Sequence, residues 1–425
     1  MAASALEPGR PWLRQGMQAR RLQVLLLVLA ATTAIAQEAR PTPFFDARQH
    51  KPEYVGPGRE EPEPAGLSEV RIAFFGPADG DHPEWGDAWR GASLALEQAN
   101  AEGGYQGKPF RLVAVWSDSP WGSGVADLTK LIFAEGVWAV VGGVDGVTTH
   151  LAEQIVVKAH LALVSPGNTD KSVHLTNVPW AFSLLPTDDR TAPRIVDALE
   201  LESARGADAN RLVVVAATDH DSHAAWSEVR EIWARGGRPA PVLQVDIPRG
   251  APELSRLTAD VRTARPAAVL VVAQARDAGR LVRALRGAGL TCPIVGGSTF
   301  GRRPFLEEAG AAADGAVFPG PDAAVAEPGL GRGYASRYGG GPDYLAAGSY
   351  DAVRLVVAAI RQAGLNRARI RDAIDGLGSP ASAGVPVAWD PTGRSARSVG
   401  LATWWSGRLA PYSRRSSRAA VAPER

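Results

Sequence analysis

The chain has 425 residues, 45% hydrophobic and 21% charged, with a formal charge of +1 from 46 basic and 45 acidic side chains. This ordinary globular composition suits two or three domains of roughly 150 residues each, and so balanced a charge offers no long-range field to hold a polyanion, so no nucleic-acid partner is expected. Cys292 is the single cysteine; it excludes an internal disulfide and a cysteine metal cluster, and its expected place is a small buried position at a strand edge.

Arg20 and Arg21 precede an apolar run from Leu22 to Ala36 that closes on Ala34-Ile35-Ala36. A basic flank, a short apolar stretch and a small-residue site predict a secretory signal peptide over residues 1–36. The run of about 15 residues is short of the roughly 20 that span a bilayer. Met17 would give a more ordinary signal than Met1, and Arg20-Arg21 is at most a weak hint of twin-arginine export. No cysteine stands near the cleavage site to carry a lipid, so a soluble product held in a periplasm is expected. Residues 37–68 hold Pro41, Pro43, Pro52, Pro57, Pro62 and Pro64 among charges and glycines. They read as a linker without enough apolar surface to order itself. The Ser- and Arg-rich residues 412–425 read as a solvated, disordered basic tail.

The body alternates short apolar runs with helical patterns. Val70 to Phe75 reads as a strand. Trp85, Trp89, Ala92, Leu96 and Ala99 then fall on one face of a helix that Gly103-Gly104 stops. Strands over Phe110–Trp116, Val137–Val141 and Leu161–Val164 alternate with helices over Leu128–Ala134 and Thr148–Ala159. After Pro186 the pattern restarts. Helices over Thr191–Leu201, Ala225–Arg235, Glu253–Ala264 and Ala278–Ala288 alternate with strands over Leu212–Ala217, Val242–Ile247, Ala268–Ala273 and Pro293–Val295. Apolar strands between amphipathic helices predict parallel sheets covered on both faces. Two successive sets predict an α/β chain of two Rossmann-like lobes. Late helices over Tyr344–Ala363 and Asn366–Leu377, and strands over Val385–Trp389 and Val399–Trp405, must pack on lobes already built. The chain is therefore expected to cross between lobes more than once, with 69–186 and 320–386 in lobe 1 and 187–319 and 387–411 in lobe 2. Several crossings suit a hinge, and ligands of open α/β sheets sit beyond the carboxyl ends of the strands.

Three loops occupy those strand ends in the first lobe. They are Gly76-Pro77-Ala78-Asp79-Gly80 with Trp85 following, Gly142-Gly143-Val144-Asp145-Gly146-Val147-Thr148-Thr149, and Ser165-Pro166-Gly167-Asn168-Thr169-Asp170. Glycine amides and hydroxyls at helix starts would converge on a carboxylate. The plain alternative for any single loop is that its glycines only make a tight turn. Neither a G-x-G-x-x-G fingerprint nor a phosphate-binding G-x-x-x-x-G-K-[ST] loop occurs, and no cofactor is expected.

From Val70 through Trp85-Gly86-Asp87, Gly91-Ala92, Ala99-Asn100, Gly103-Gly104 and Gly107, the sequence resembles the branched-chain amino-acid-binding family. These are type I periplasmic binding proteins, the receptors of ABC importers. The likeness continues at Val141-Gly142-Gly143, Ser165-Pro166-Gly167 and Trp389-Asp390-Pro391-Thr392-Gly393. It implies a type I periplasmic-binding-protein fold that captures an amino acid or related small carboxylate and docks its closed lobes on a membrane ABC permease. The resemblance implies that Gly146, Gly167 and Thr169, with Thr148 nearby, surround the α-carboxylate and that Trp85 packs on the ligand; Asp145, in the same loop, is a further expected ligand-binding residue. In the second lobe the pattern breaks. Ser298 stands where an ammonium-pairing acid belongs, and the usual aromatics are replaced around Thr218-Asp219-His220-Asp221 and Gln274-Ala275. Asp219 or Asp221 could supply a relocated acid, or either could merely cap the following helix. The half-cystines that tie two first-lobe loops in some members are replaced by Pro120 and Asp145.

Catalysis is not expected. Gly297-Ser298 is no nucleophile elbow and no histidine follows it, the last being His223. His220 and His223 would ligate a metal only with a third group, which leaves a metal-dependent hydrolase as a minor alternative. A sensory or regulatory protein that uses the same closure to signal to a membrane partner is the main competing role.

Overall fold

The computed structural model describes residues 53–204, 210–250, 254–321, 328–378 and 388–412. The expected signal peptide, the start of the expected linker, the tail beyond Tyr412 and most of the expected strand Val385–Trp389 lie outside them. No helix among the described residues is long and apolar enough to cross a membrane.

Two sheets organise the chain. The first contains β1 (Val70–Phe75), β2 (Phe110–Val115), β3 (Val140–Gly142), β4 (Leu163–Ser165) and β5 (Ala181–Ser183) in the order β2-β1-β3-β4-β5. All its pairings are parallel. Helices α1 (Gly86–Ala101), α2 (Val125–Ala134) and α3 (Gly146–Ala159) connect its strands, with a single turn α4 (Ser172–Leu175) before β5. The second sheet holds β6 (Leu212–Ala217), β7 (Leu243–Ile247), β8 (Ala268–Val272), β9 (Ile294–Gly296), β10 (Val317–Pro321), β11 (Val399–Trp405) and β12 (Arg408–Pro411), in the order β12-β11-β10-β9-β8-β6-β7. Its last two strands run antiparallel. Helices α5 (Asp188–Ser203), α6 (His220–Arg235), α7 (Ser255–Thr263), α8 (Ala275–Gly287) and α9 (Arg303–Ala309) accompany this sheet, whereas α10 (Pro328–Tyr338), α11 (Tyr344–Ala363) and α12 (Arg367–Leu377) return to the first.

The central strands are buried on both faces, which explains their continuous apolar runs: every residue of β6 and β8 is buried. One core of the first lobe gathers Phe74, Ala92 and Ala95 with Ala352, Val353 and Val356 of α11. Helices α1 and α11 approach so closely that a Cβ on Gly91 would lie 2.0 Å from the Ala346 carbonyl oxygen, so only glycine fits there. Trp180 and Trp233 are buried, while Trp89 and Trp138 are partly buried against the first-lobe core. In β11, Trp404 is buried and donates its indole NH to the Phe300 carbonyl at 2.8 Å, while Trp405 faces solvent.

The polypeptide passes between the sheets between Ser183 and Asp188, between Pro321 and Pro328, and between Leu377 and Val399. The first and third passages touch. Arg394 bridges Asp390 (2.8 Å) and Asp189 (3.2 Å). Buried His174 joins the Thr392 carbonyl (2.9 Å) to the Ser183 hydroxyl (2.7 Å). Burial pushes the His174 pKa down to about 4, so the ring is neutral at pH 7.

One expectation is corrected. Residues 53–68, read as part of an unstructured linker, lie against the first lobe. Arg59 pairs with Asp372 at 2.7 Å, Asn366 donates to the Gly58 carbonyl at 2.7 Å, and the Tyr54 ring sits 4.5 Å from that of Trp180. Glu63 accepts from the Tyr105 hydroxyl at 2.9 Å, and burial with this contact lifts the Tyr105 pKa to about 12. These side chains find tertiary partners that a proline-rich composition does not reveal.

Candidate functional site

The carboxyl ends of both sets of strands face a cleft of about 620 Å³, counting the solvent at its mouth. The first lobe contributes the loops after β3 and β4. Ser165 ties them together, its hydroxyl donating to the Gly143 carbonyl (2.7 Å) and accepting from the Asn168 amide (3.1 Å). Gly167 is held so close that a Cβ there would meet the Val144 oxygen at 2.2 Å.

Each predicted residue has a definite place. Trp85, Asp145, Gly167, Thr169, Asp221, Gln274 and Ser298 line the cleft. Trp85 is buried, with the Arg302 guanidinium 5.3 Å from its ring centre. Gly146 is not itself a lining residue, but its amide donates to Asp221 Oδ1, which lines the cleft, at 3.0 Å. This bond spans the lobes, since Gly146 opens α3 and Asp221 lies in the first turn of α6. A Cβ on Gly146 would come within 2.3 Å of that same oxygen. The Thr169 hydroxyl donates to Asp188 Oδ2 at 3.3 Å.

Two expected residues do other work. Thr148 is buried, with its hydroxyl (2.6 Å) and amide (2.8 Å) both donated to Asp145 Oδ1. The pair forms a reciprocal cap at the start of α3, so Thr148 does not line the cleft. Asp219 is the N-cap of α6, accepting from the Ser222 amide (3.2 Å) and the Gln274 side chain (3.2 Å). Of the two acids considered for the second lobe, Asp221 reaches the cleft and Asp219 caps.

Asp188, Arg302, Tyr344 and Thr191 also line the cleft and were not anticipated. Arg302 is buried although it belongs to the second lobe and inserts into the first. It donates to the Glu84 carbonyl (2.6 Å) and to Asp343 Oδ2 (3.0 Å). Glu84 in return accepts from the Ala275 amide (3.0 Å) and the Arg276 amide (3.3 Å) at the start of α8. Neighbouring Arg303 clasps both oxygens of buried Asp87 at 3.0 Å, and Tyr334 donates to Asp87 at 2.6 Å. The adjacent basic pair Arg302-Arg303 after β9 was the available signal for this contact.

The cleft is thus acidic. Burial, then the charges of Asp145 and Asp219, push Asp221 well above the usual carboxylate range. Burial and the neighbouring Asp170 do the same to Asp188. Burial also lowers the affinity of the Arg302 guanidinium for its proton, but Asp343, Tyr344 and Glu84 more than offset it, so its charge is committed to those partners. A cation entering the cleft would relieve the repulsion among the acids.

The suggested pairing of His220 with His223 does not occur. His223 is exposed, while His220 Nε2 reaches across the lobes to Asp170 Oδ2 at 2.7 Å. Cys292 is half-buried and unpaired, and burial raises its thiol pKa to about 11.

Residues 69–408 match the family described as periplasmic binding protein. The chain belongs to this family. Among curated relatives, this periplasmic binding protein is 27% identical over 230 residues to the "Amino acid binding protein" of Pseudomonas aeruginosa, a match covering 53% of this chain and 59% of that one. The chain therefore spans less than two thirds of that relative's length. Among solved structures it resembles LivJ of Streptococcus pneumoniae, a branched-chain amino acid transporter substrate-binding protein in complex with isoleucine (22% identity, TM-score 0.71, 80% of this chain and 97% of that one). It also resembles the leucine-binding protein LivK of Thermotoga maritima (21%, TM-score 0.69, covering 81% and 98%). A third likeness is to a solute-binding protein of R. palustris in complex with benzoate (17%, TM-score 0.70, covering 81% and 95%). At these identities the structural likenesses establish the two-lobed α/β fold, and the membership expected from the loop motifs is met.

Proposed function

We propose that this periplasmic binding protein captures a small amino-acid-like zwitterion between its lobes, after export through its leader, and delivers it to a membrane ABC permease. The contact from the Gly146 amide to Asp221 Oδ1, 3.0 Å across the cleft, carries the reading. In it the protein's own carboxylate occupies a donor of the kind a ligand carboxylate needs. The Thr169 hydroxyl is likewise taken up by Asp188. A zwitterion resolves both contacts at once. Its carboxylate takes the donors at Gly146 and Thr169, and Asp221 and Asp188, released from them, face its ammonium. Trp85 and Val272 supply apolar wall for a side chain.

Burial makes this exchange favourable. Two acids held above their usual range by burial and by neighbouring carboxylates gain a counter-charge, whereas a simple carboxylate would add a further negative charge to the same space. A thermal-shift screen of amino acids, their amides and their deaminated acids tests the proposal. A ligand at about 100 times its Kd stabilises the native state by about 2.7 kcal/mol, which is visible as a raised melting temperature. Amino acids should give the hits. A panel in which no amino acid shifts the transition contradicts the reading.

A further inference from the structure

Beside the cleft, three side chains from three chain segments converge on one point. His150 lies in the second turn of α3, Asp170 in the loop before α4, and His220 is the first residue of α6. We propose that His150, Asp170 and His220 form a binding site for a zinc-class divalent cation that joins the two lobes.

The donor atoms are already gathered. His150 Nε2 and His220 Nε2 stand 3.2 Å and 2.7 Å from the same oxygen, Asp170 Oδ2, and one ligand atom from each residue lies within 4.8 Å of the others. An ion bonded to nitrogen and oxygen at about 2.0–2.2 Å in tetrahedral geometry holds its ligand atoms about 3.4 Å apart. Small side-chain adjustments about this arrangement therefore admit it. The supporting contacts orient the donors. Asp170 Oδ1 accepts from the Ser172 amide at 2.8 Å, which leaves Oδ2 as the presented oxygen. Glu153 Oε2 lies 3.6 Å from His150 Nδ1, and Glu153 is itself held by the Thr176 hydroxyl. A carboxylate on one ring nitrogen turns the other toward a metal and strengthens it as a ligand. The His220 side chain is 46% exposed, so an ion has a way in, and a fourth position stays open for water or an exogenous ligand.

Two imidazoles and one carboxylate suit zinc and its neighbours in the transition series, and are too poor in oxygen for magnesium or calcium. The ligands divide between lobes, with His150 and Asp170 on the first and His220 on the second. An ion bound to all three therefore favours the closed arrangement, and by reciprocity anything that closes the lobes tightens the ion. Cysteine count alone excluded a cysteine cluster, but it said nothing of histidines 70 residues apart in sequence that the fold brings together.

The test needs no organic ligand, so its outcome is independent of the proposed transport role. The full chain, stripped with a chelator, is titrated with zinc chloride by calorimetry, with magnesium and calcium chloride as controls. One zinc per chain is expected, with no saturable uptake of the controls. His220→Ala removes a ligand from an exposed position and should weaken zinc by at least about 100-fold while its thermal transition is retained. Glu153→Gln, which alters only the group facing His150 Nδ1, should weaken zinc about 10-fold. His223→Ala, three residues along the same helix, should leave the affinity unchanged. Zinc should also reduce the radius of gyration of the wild-type chain and leave that of His220→Ala unaltered. Absence of saturable zinc binding overturns the proposal, and so does undiminished affinity in His220→Ala.

Discussion

Around Arg302 the lobes meet through side chains almost sealed from solvent, whereas around Asp170 they meet through His220 and Lys171, which water reaches. In the first region Arg302 is 2% exposed and its partners Glu84 and Asp343 are 8% and 4% exposed. In the second, Lys171 pairs with Glu228 at 2.6 Å and His220 with Asp170 at 2.7 Å, the Lys171 and His220 side chains being 34% and 46% exposed. The difference is physical. A buried charge that loses its partner is stranded in low dielectric, while an exposed one is received by water. The Arg302 region is therefore the costlier of the two lobe contacts to break, and the Asp170 region the easier one.

Arg302→Ala should show the largest effect of any single change, because it leaves Glu84 and Asp343 buried without their guanidinium. A loss of about 3–5 kcal/mol is expected by chemical denaturation. A value under about 1 kcal/mol would mean that the two regions do not differ as described.

The next effect is a pH dependence seated at the crossings. His174 is neutral and buried, with its folded pKa lowered from 6.5 to about 4. The unfolded chain binds the proton first, so stability falls as pH drops from about 6.5 and levels off below about 4. The shift corresponds to about 3 kcal/mol. Unfolding free energies measured across this window should show the slope, and His174→Asn should flatten it. An equal slope in the variant would place the titration elsewhere.

Thr169→Ala should weaken the amino-acid hit by about 1–3 kcal/mol, since a buried anion loses a donor. Unchanged affinity by calorimetry would count against the cleft described here. The smallest effect belongs to Lys171→Ala, under about 1 kcal/mol on stability; a loss as large as that of Arg302→Ala would erase the contrast between the two regions.

Much of the architecture is legible in the residues because strand burial and helix periodicity are local. The pattern over Tyr344–Ala363 coincides with α11, and the restart after Pro186 coincides with the second sheet. Other elements are hidden. β5 is only Ala181-Phe182-Ser183, and β10 reads Val-Phe-Pro-Gly-Pro, a composition of loops that becomes a strand because β11 pairs with it. In the site, the first-lobe loops are readable because glycine and hydroxyl residues follow strands. Asp188, Arg302 and Tyr344 are not, since they come from a crossing and from the opposite faces of a closed cleft. The roles of Asp219 and Asp221 separate only through helix geometry. The N-cap position turns one carboxylate back onto its own backbone, and two residues later the other points across to Gly146.

The central claim is that Asp221 competes for a carboxylate donor when the cleft is empty and pairs with an ammonium when it is filled. Calorimetry of wild type and Asp221→Ala with an amino-acid hit and its deaminated acid tests this directly. The account predicts opposite shifts: the amino acid binds about 10–100-fold more weakly to the variant, for want of a counter-charge worth about 1.4–2.8 kcal/mol, and the deaminated acid binds more tightly because its rival is gone. Both ligands shifting in the same direction, or neither shifting, would contradict it.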